Sequence, residues 1–130
     1  MDGFRGLAPS RRRAAGQQSE ALVAAYLADH GWRVVARNVR GGGGELDIVA
    51  LDGDALVFVE VRGRAHAAVA SPAESVDWRK RRRLEAAARF FLARQWTGAW
   101  PARMRFDVVA VITEPELCIQ HVPEAFVCGE

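Results

Sequence analysis

The chain has 130 residues, half of them apolar, and a formal net charge of +2, which suits one domain with a real core. No apolar run is long enough to cross a membrane, and the arginines near the N-terminus lead into no hydrophobic segment, so neither a membrane protein nor a secretory signal is expected. Cys118 and Cys128 form no spacing pattern, which fits a reduced cytoplasm better than a disulfide framework.

In chain order, residues 1–13 read as a flexible basic arm. Helical spacing runs from about Ser10 to His30, with Leu22, Val23, Tyr26 and Leu27 recurring at three and four and Gly31 as a stop. Trp32 to Val39 reads as a strand, broken by the glycines 41–44. Glu45 to Leu51 and Leu56 to Arg64 read as two further strands around the turn Asp52-Gly53-Asp54. Residues 65–72 read as a loop. A second long helix is expected from about Ala73 to Gln95, with the stripe Val76, Leu84, Ala87 and Phe91. Thr97 to Ala102 is a linker, and Arg103 to Ile112 and Leu117 to Val122 are the last strands. Residues 14–126 form the single domain, with 127–130 as a short tail. The order helix, three strands, helix, two strands predicts an α/β fold, a mixed five-stranded sheet with flanking helices.

The stretch LVFVEVRGR places two charges inside an apolar strand. Side chains alternate across a strand, so Val57, Val59 and Val61 face one way and Leu56, Phe58, Glu60, Arg62 and Arg64 the other. If Leu51 pairs with Leu56, then Ile48 meets Val59, Ala50 meets Val57, and Asp47 lies directly opposite Glu60. That register gathers the apolar sets together. It also sets two carboxylates side by side, which repel unless something binds between them. A divalent cation is the natural partner, since Mg2+ takes oxygen ligands, keeps several waters and uses one or two carboxylates plus a phosphate. The plain alternative is a neutralised cluster in which Arg62 or Arg64 pairs with Glu60 and Asp47 is solvated.

Glu20 shares a helical face with Val23, Ala24 and Leu27, so it is directed toward the sheet; its plain alternative is a carboxylate near a helix start. Lys80 extends the stripe of Leu84, Ala87 and Phe91, while Arg79, Arg82 and Arg83 point elsewhere. A snorkelling lysine at a stripe end is the plain alternative. Of the 18 basic residues only Lys80 is lysine, which GC-rich coding alone could produce. The arginines nonetheless cluster: Arg11, Arg12 and Arg13, then Arg79, Arg82 and Arg83, with Arg64 at a strand end. Such clusters attract phosphate backbones, although a solvated face is the commoner reason for a charge run. His30, His66 and His121 show no zinc spacing with the cysteines, and His121 reads as a partly buried strand residue. The four tryptophans could stack on bases, but core or helix-edge packing is the expectation for each. Asp107 shares a strand face with Arg105, which predicts an ion pair.

The segments GQQSEALVAAYL, RNVRGGGGELDIVA, LVFVEVRGR, PAESVDWRKRRRLEAAARFFL, RFDVVAV and HVPEAF together resemble the YraN family of small bacterial proteins, similar in turn to archaeal Holliday-junction resolvases. The resemblance covers roughly residues 14 to 126. It implies a restriction-endonuclease-like fold of the PD-(D/E)xK type, with Glu20, Asp47 and Glu60 as the acids of an Mg2+ (or Mn2+) site. It further implies metal-assisted phosphodiester hydrolysis on DNA, branched or otherwise structured, with RNA as an open alternative and a homodimer admitted by analogy of fold. Ser19 stands where the family usually has glycine. Arg62 stands where lysine is expected; it can steady charge at phosphorus, but being always protonated it cannot act as a base. Lys80 is then the candidate for the missing ammonium. A catalytically silent DNA- or RNA-binding module and a protein-interaction scaffold are the competing readings.

Overall fold

The computed structural model describes residues 11–64 and 76–126, without the side chains of residues 11–17. In chain order it comprises α1 (Arg11–Asp29), β1 (Arg33–Gly41), β2 (Gly44–Asp52), β3 (Ala55–Arg64), α2 (Trp78–Arg94), β4 (Arg103–Ile112) and β5 (Cys118–Phe126). The strands form one mixed five-stranded sheet in the order β1-β2-β3-β4-β5. Only β3 and β4, joined through α2, run parallel. This is the expected α/β architecture, consistent with a restriction-endonuclease-like fold. No helix among the described residues is long and apolar enough to cross a membrane.

Each helix covers one face of the sheet. Val23 and Leu27 of α1 pack on Ile48, Ala50, Val57, Val59, Val109 and Val111. On the other face Leu84, Ala87, Ala88 and Phe91 of α2 pack on Leu46, Val49, Leu56, Phe58, Phe106 and Val108. A strand covered on both faces must be apolar throughout, and β4 is buried without interruption from Phe106 to Ile112.

Three boundaries differ notably from the sequence reading. β1 does not stop at Val39 but runs to Gly41, which pairs with Gly44 across the two-residue turn Gly42-Gly43. Both turn residues have positive φ (64° and 88°), the conformation that two-residue hairpins need. Helix α2 starts at Trp78 rather than Ala73, because the Asp77 side chain accepts a hydrogen bond from the Lys80 N–H and caps it. Val76 is buried as expected, but from outside the helix. β5 runs past Val122 to Phe126, and its Pro123 is tolerated because β5 is an edge strand. The loop 65–72, residues 73–75 and the tail 127–130 lie outside the described residues.

The glycine run also fixes where α2 sits. A Cβ on Gly44 would lie 2.3 Å from the Arg83 carbonyl oxygen, and one on Gly42 would lie 2.6 Å from that of Ala86. Backbone meets backbone there, so no side-chain rotation can relieve the clash. Gly44→Ala is therefore expected to destabilise the fold by about 1–3 kcal/mol through forced overpacking. Urea denaturation checks this, and an unchanged midpoint would show that α2 can slide.

A second polar cluster is buried under α1. Asp107 has 0% exposure. It accepts from Arg105 Nε (3.0 Å) and Nη2 (3.2 Å), from His121 Nε2 (2.7 Å) and from the Glu124 N–H (3.0 Å). The expected ion pair with Arg105 is present, and Arg105 also reaches Asp52 at 3.2 Å and lies over the Trp32 ring. Phe106 pairs with Phe126 and Val108 with Val122, so residues 123–125 bulge opposite Asp107 alone.

Candidate functional site

The β2–β3 ladder follows the expected register through Leu51↔Leu56, Ala50↔Val57 and Ile48↔Val59 and then ends. Asp47 is therefore not a ladder partner of Glu60. Its Oδ2 instead accepts a hydrogen bond from the Val61 N–H at 2.8 Å. The adjoining β1–β2 ladder keeps one register from Ala36↔Val49 to Gly41↔Gly44, but Asn38 and Asp47, which fall opposite each other in it, are not paired, and Asn38 has a positive φ of 53°. Strict alternation slips at this point, since Leu46 and Val49 both join the core under α2. Beyond the end of the ladder β2 is paired to β1, and β3 only to β4. A gap opens between β2 and β3, and both helix layers reach it.

Glu60 lines the gap from β3 and is 5% exposed. Its Oε2 lies 3.4 Å from Arg62 Nη2 and 3.4 Å from Lys80 Nζ. The alternation-based pairing of Glu60 with Arg62 thus holds, and Lys80 enters from α2. Among the described residues the Oε1 of Glu60 is buried without a hydrogen-bond partner, and so is the Oε1 of Glu20 from α1.

Burial and neighbouring carboxylate charge raise two of these acids. Asp47 is pushed up to about 7, first by burial and then by the Glu60 charge, with the Val61 N–H and Lys80 pulling the other way. Glu20 is pushed up to about 7 by burial and by Asp47, partly offset by Arg37 and Asn38. The Asp47 charge on β2 thus reaches Glu20 on α1, across two elements.

Among the described residues no three His, Cys, Asp or Glu side chains already converge as a metal-binding group. The residues nonetheless fit a hard cation in one specific respect. Two buried carboxylate oxygens have no hydrogen-bond partner among the described residues, and a third carboxylate, Asp47, is held up by burial and by the Glu60 charge. Mg2+ needs only one or two carboxylates, since waters fill its remaining positions.

Around the acids lies a basic rim. Arg79, Arg82 and Arg83 are exposed on α2, and Arg64 is half-buried at the end of β3. Arg11, Arg12 and Arg13 fall in α1, but their side chains lie outside the described residues. Arg40, the glycine turn, Glu45, Lys80 and Arg83 line an open groove of about 560 Å³ beside Lys80. Arg40 reaches this groove unforeseen by the sequence, its guanidinium held by Glu45 at 2.6 Å. The tryptophan expectation also needs correcting. Trp32 and Trp96 do pack against the cores, but Trp78 is 61% and Trp100 70% exposed. Trp78 lies off the Leu84–Ala87–Phe91 stripe, and that spacing was the available signal.

The chain's relatives span this whole arrangement. It is 44% identical over 116 residues to a UPF0102 protein of Nitratidesulfovibrio vulgaris (strain DP4), covering 88% of this chain and 85% of that one. It is 49% identical over 100 residues to one of Moorella thermoacetica, covering 77% and 82%, and 48% identical over 103 residues to one of Stutzerimonas stutzeri (strain A1501), covering 78% and 84%. The matched region of the family profile, residues 19–111, runs from α1 through β4 and takes in Glu20, Asp47, Glu60, Arg62 and Lys80. The chain belongs to uncharacterised protein family UPF0102, the YraN family that its motifs resemble.

Proposed function

We propose that the protein is a Mg2+-dependent (or Mn2+-dependent) nuclease acting on branched or otherwise structured DNA. The observation that carries this reading is the pair of buried, donorless carboxylate oxygens on Glu20 and Glu60, beside a raised Asp47 at a gap in the sheet. Asp47 and Glu60 would hold the cation, with Glu20 assisting directly or through water. When bound, the cation supplies Lewis acidity toward a phosphoryl oxygen and a water of lowered pKa. Arg62 and Lys80 set two positive groups against one Glu60 oxygen, where they can face the charge that develops at phosphorus. Arg62 stays protonated throughout, so it binds and steadies but takes no proton. Arg79, Arg82 and Arg83 offer phosphate contacts on the adjoining helix face.

One observation favours a second reading, a silent DNA- or RNA-binding module. The Arg62–Glu60 pair already partly neutralises the carboxylate that a cation would need. Cleavage of single-stranded, duplex, flap and four-way-junction DNA with Mg2+, Mn2+ or EDTA separates the two. The nuclease reading expects cutting with either metal and none in EDTA. Glu60→Gln is expected to lower the rate about a thousandfold, the effect of several kcal/mol at phosphorus. Cutting that Glu60→Gln leaves unchanged would remove the site from the reaction. Cutting seen only in Arg62→Lys, with wild type binding but inert, would establish the silent module.

Lys80 can be tested alongside. Lys80→Met is expected to slow cleavage about 10–100-fold with DNA affinity changed less than threefold, as befits a contact made to developing charge. A variant that cuts as fast as wild type would dismiss Lys80 from the reaction.

A further inference from the structure

We infer that Trp78 is a stacking platform for an unpaired nucleobase, so that the strand lying along α2 carries unpaired nucleotides next to the acid cluster. This rests on the nucleic-acid reading proposed above and names its substrate class.

Trp78 opens α2 directly after the Asp77 cap, and 61% of it is exposed. Nothing in the helix requires an indole there, because Asp77 supplies the cap and the buried stripe begins at Leu84. Large aromatic surface left in water forgoes the burial that usually justifies it. The ring's neighbours are cations. The guanidinium carbons of Arg79 and Arg82 lie 5.4 and 5.6 Å from its centroid. These contacts orient the indole and place two phosphate-binding groups beside it.

Helix geometry then gives the direction of travel. At 3.6 residues per turn, the first turn of α2 presents Trp78, Arg82, Arg79 and Arg83 in that angular order around the exposed side. Lys80 comes next, and its Nζ reaches Glu60. A single path therefore runs from an aromatic face, across three arginines, to the ammonium at the acid gap. Lys80 and Arg83 also line the open groove beside the glycine turn. A nucleic-acid strand matches that sequence of groups: base on indole, phosphates on arginines, a further phosphate at Lys80 and Glu60. In a continuous duplex both faces of each base are covered by their neighbours. Only an unpaired base offers a free face, as in a single strand, a flap or the open centre of a junction.

The test is equilibrium binding of the full chain in EDTA at low salt, where no cutting intervenes. The probes are a mixed-sequence single strand, the matching duplex, and the same strand carrying 2-aminopurine. Wild type should bind both forms and quench 2-aminopurine. Trp78→Ala should weaken single-strand binding about tenfold or more and abolish the quench, while duplex affinity stays within about twofold. Trp78→Phe should retain most of both signals. Duplex binding reports separately on the fold and the arginines. Equal loss on both probes, no loss on either, or no binding by wild type would each overturn the inference. The nuclease reading fails separately, in the cutting assay: selective loss in Trp78→Ala without metal-dependent cutting keeps the platform and removes the reaction. Cutting with no selective loss does the reverse.

Discussion

Asp107→Ala is expected to destabilise the protein by about 3–5 kcal/mol, the cost of taking one buried acceptor from several donors at once. Among the described residues Asp107 is the acceptor for the His121 ring and for the Glu124 N–H, and it shares Arg105 with Asp52. Removing it leaves Arg105 with Asp52 alone and takes the acceptor from the Glu124 N–H. It also frees the bulge at residues 123–125, where Glu124 is held at a positive φ of 51°. The native carboxylate is favoured in spite of its surroundings. Burial alone would raise its pKa, yet the bonds from His121, Arg105 and Glu124 together hold it below the usual range. A lowered carboxylate pKa stabilises the fold at neutral pH, and that stabilisation is lost as pH falls through the native value. Urea denaturation at pH 7 measures the effect, and a loss under 1 kcal/mol would mean that β5 is tied down by its apolar contacts alone. Asp107→Asn, which keeps two acceptor lone pairs, should cost less.

Asp47→Asn should act in the opposite direction. Without a metal, the native pKa of Asp47 is about 7 against 3.8 for an ordinary aspartate, and Glu20 is about 7 against 4.5. Raised carboxylate pKa values mean that folding favours the protonated form. Their contribution is fully present below the unfolded values and is lost as pH rises through about 7. The metal-free protein should therefore lose stability from about pH 4 to pH 8 at these two groups. Asparagine removes the repelling charge and can still accept from the Val61 N–H. Asp47→Asn should raise metal-free stability at pH 8 by on the order of 2 kcal/mol and flatten the pH profile. Glu20→Gln should do the same to a smaller degree, because its carboxyl is less desolvated than that of Asp47. Addition of Mg2+ at pH 8 should stabilise wild type and leave Asp47→Asn unmoved. Thermal melts across pH, with and without Mg2+, give both results. A variant less stable than wild type at pH 8 would show that Asp47 is structurally satisfied and not poised for a cation.

These two aspartates also mark how far the sequence could be read. Alternation placed β2 against β3 correctly down to Ile48↔Val59, because apolar residues on both strands leave one register that buries them all. It failed one residue later. Asn38, opposite Asp47 in the β1–β2 register, takes a left-handed φ, and no side-chain pattern in β2 announces the irregularity. Glu60 and Arg62 were legible as same-face neighbours, since their relation is internal to one strand. Asp107 and Arg105 were legible for the same reason, whereas the His121 bond spans two strands whose register a bulge displaces. The start of α2 was misplaced because Val76 keeps helical spacing with Leu84 by coincidence; Asp77 carried the better signal. The exposure of Trp78 followed from its offset to the stripe, a clue outweighed by the usual burial of tryptophan.

The early end of the β2–β3 ladder has a mechanical meaning. β3 and β4 are zipped along their full length, from Ala55↔Arg103 to Arg64↔Ile112, while β2 grips β3 only from Ile48 to Asp52. The sheet is thus two leaves joined along part of one seam, and the open part is closed by a side chain, Asp47 on the Val61 N–H. A cation held between Asp47 and Glu60 would act as a rivet across that seam. Exchange of the Val61 amide proton with solvent would then slow on loading, and the leaf β1–β2 would stop breathing against the leaf β3–β4.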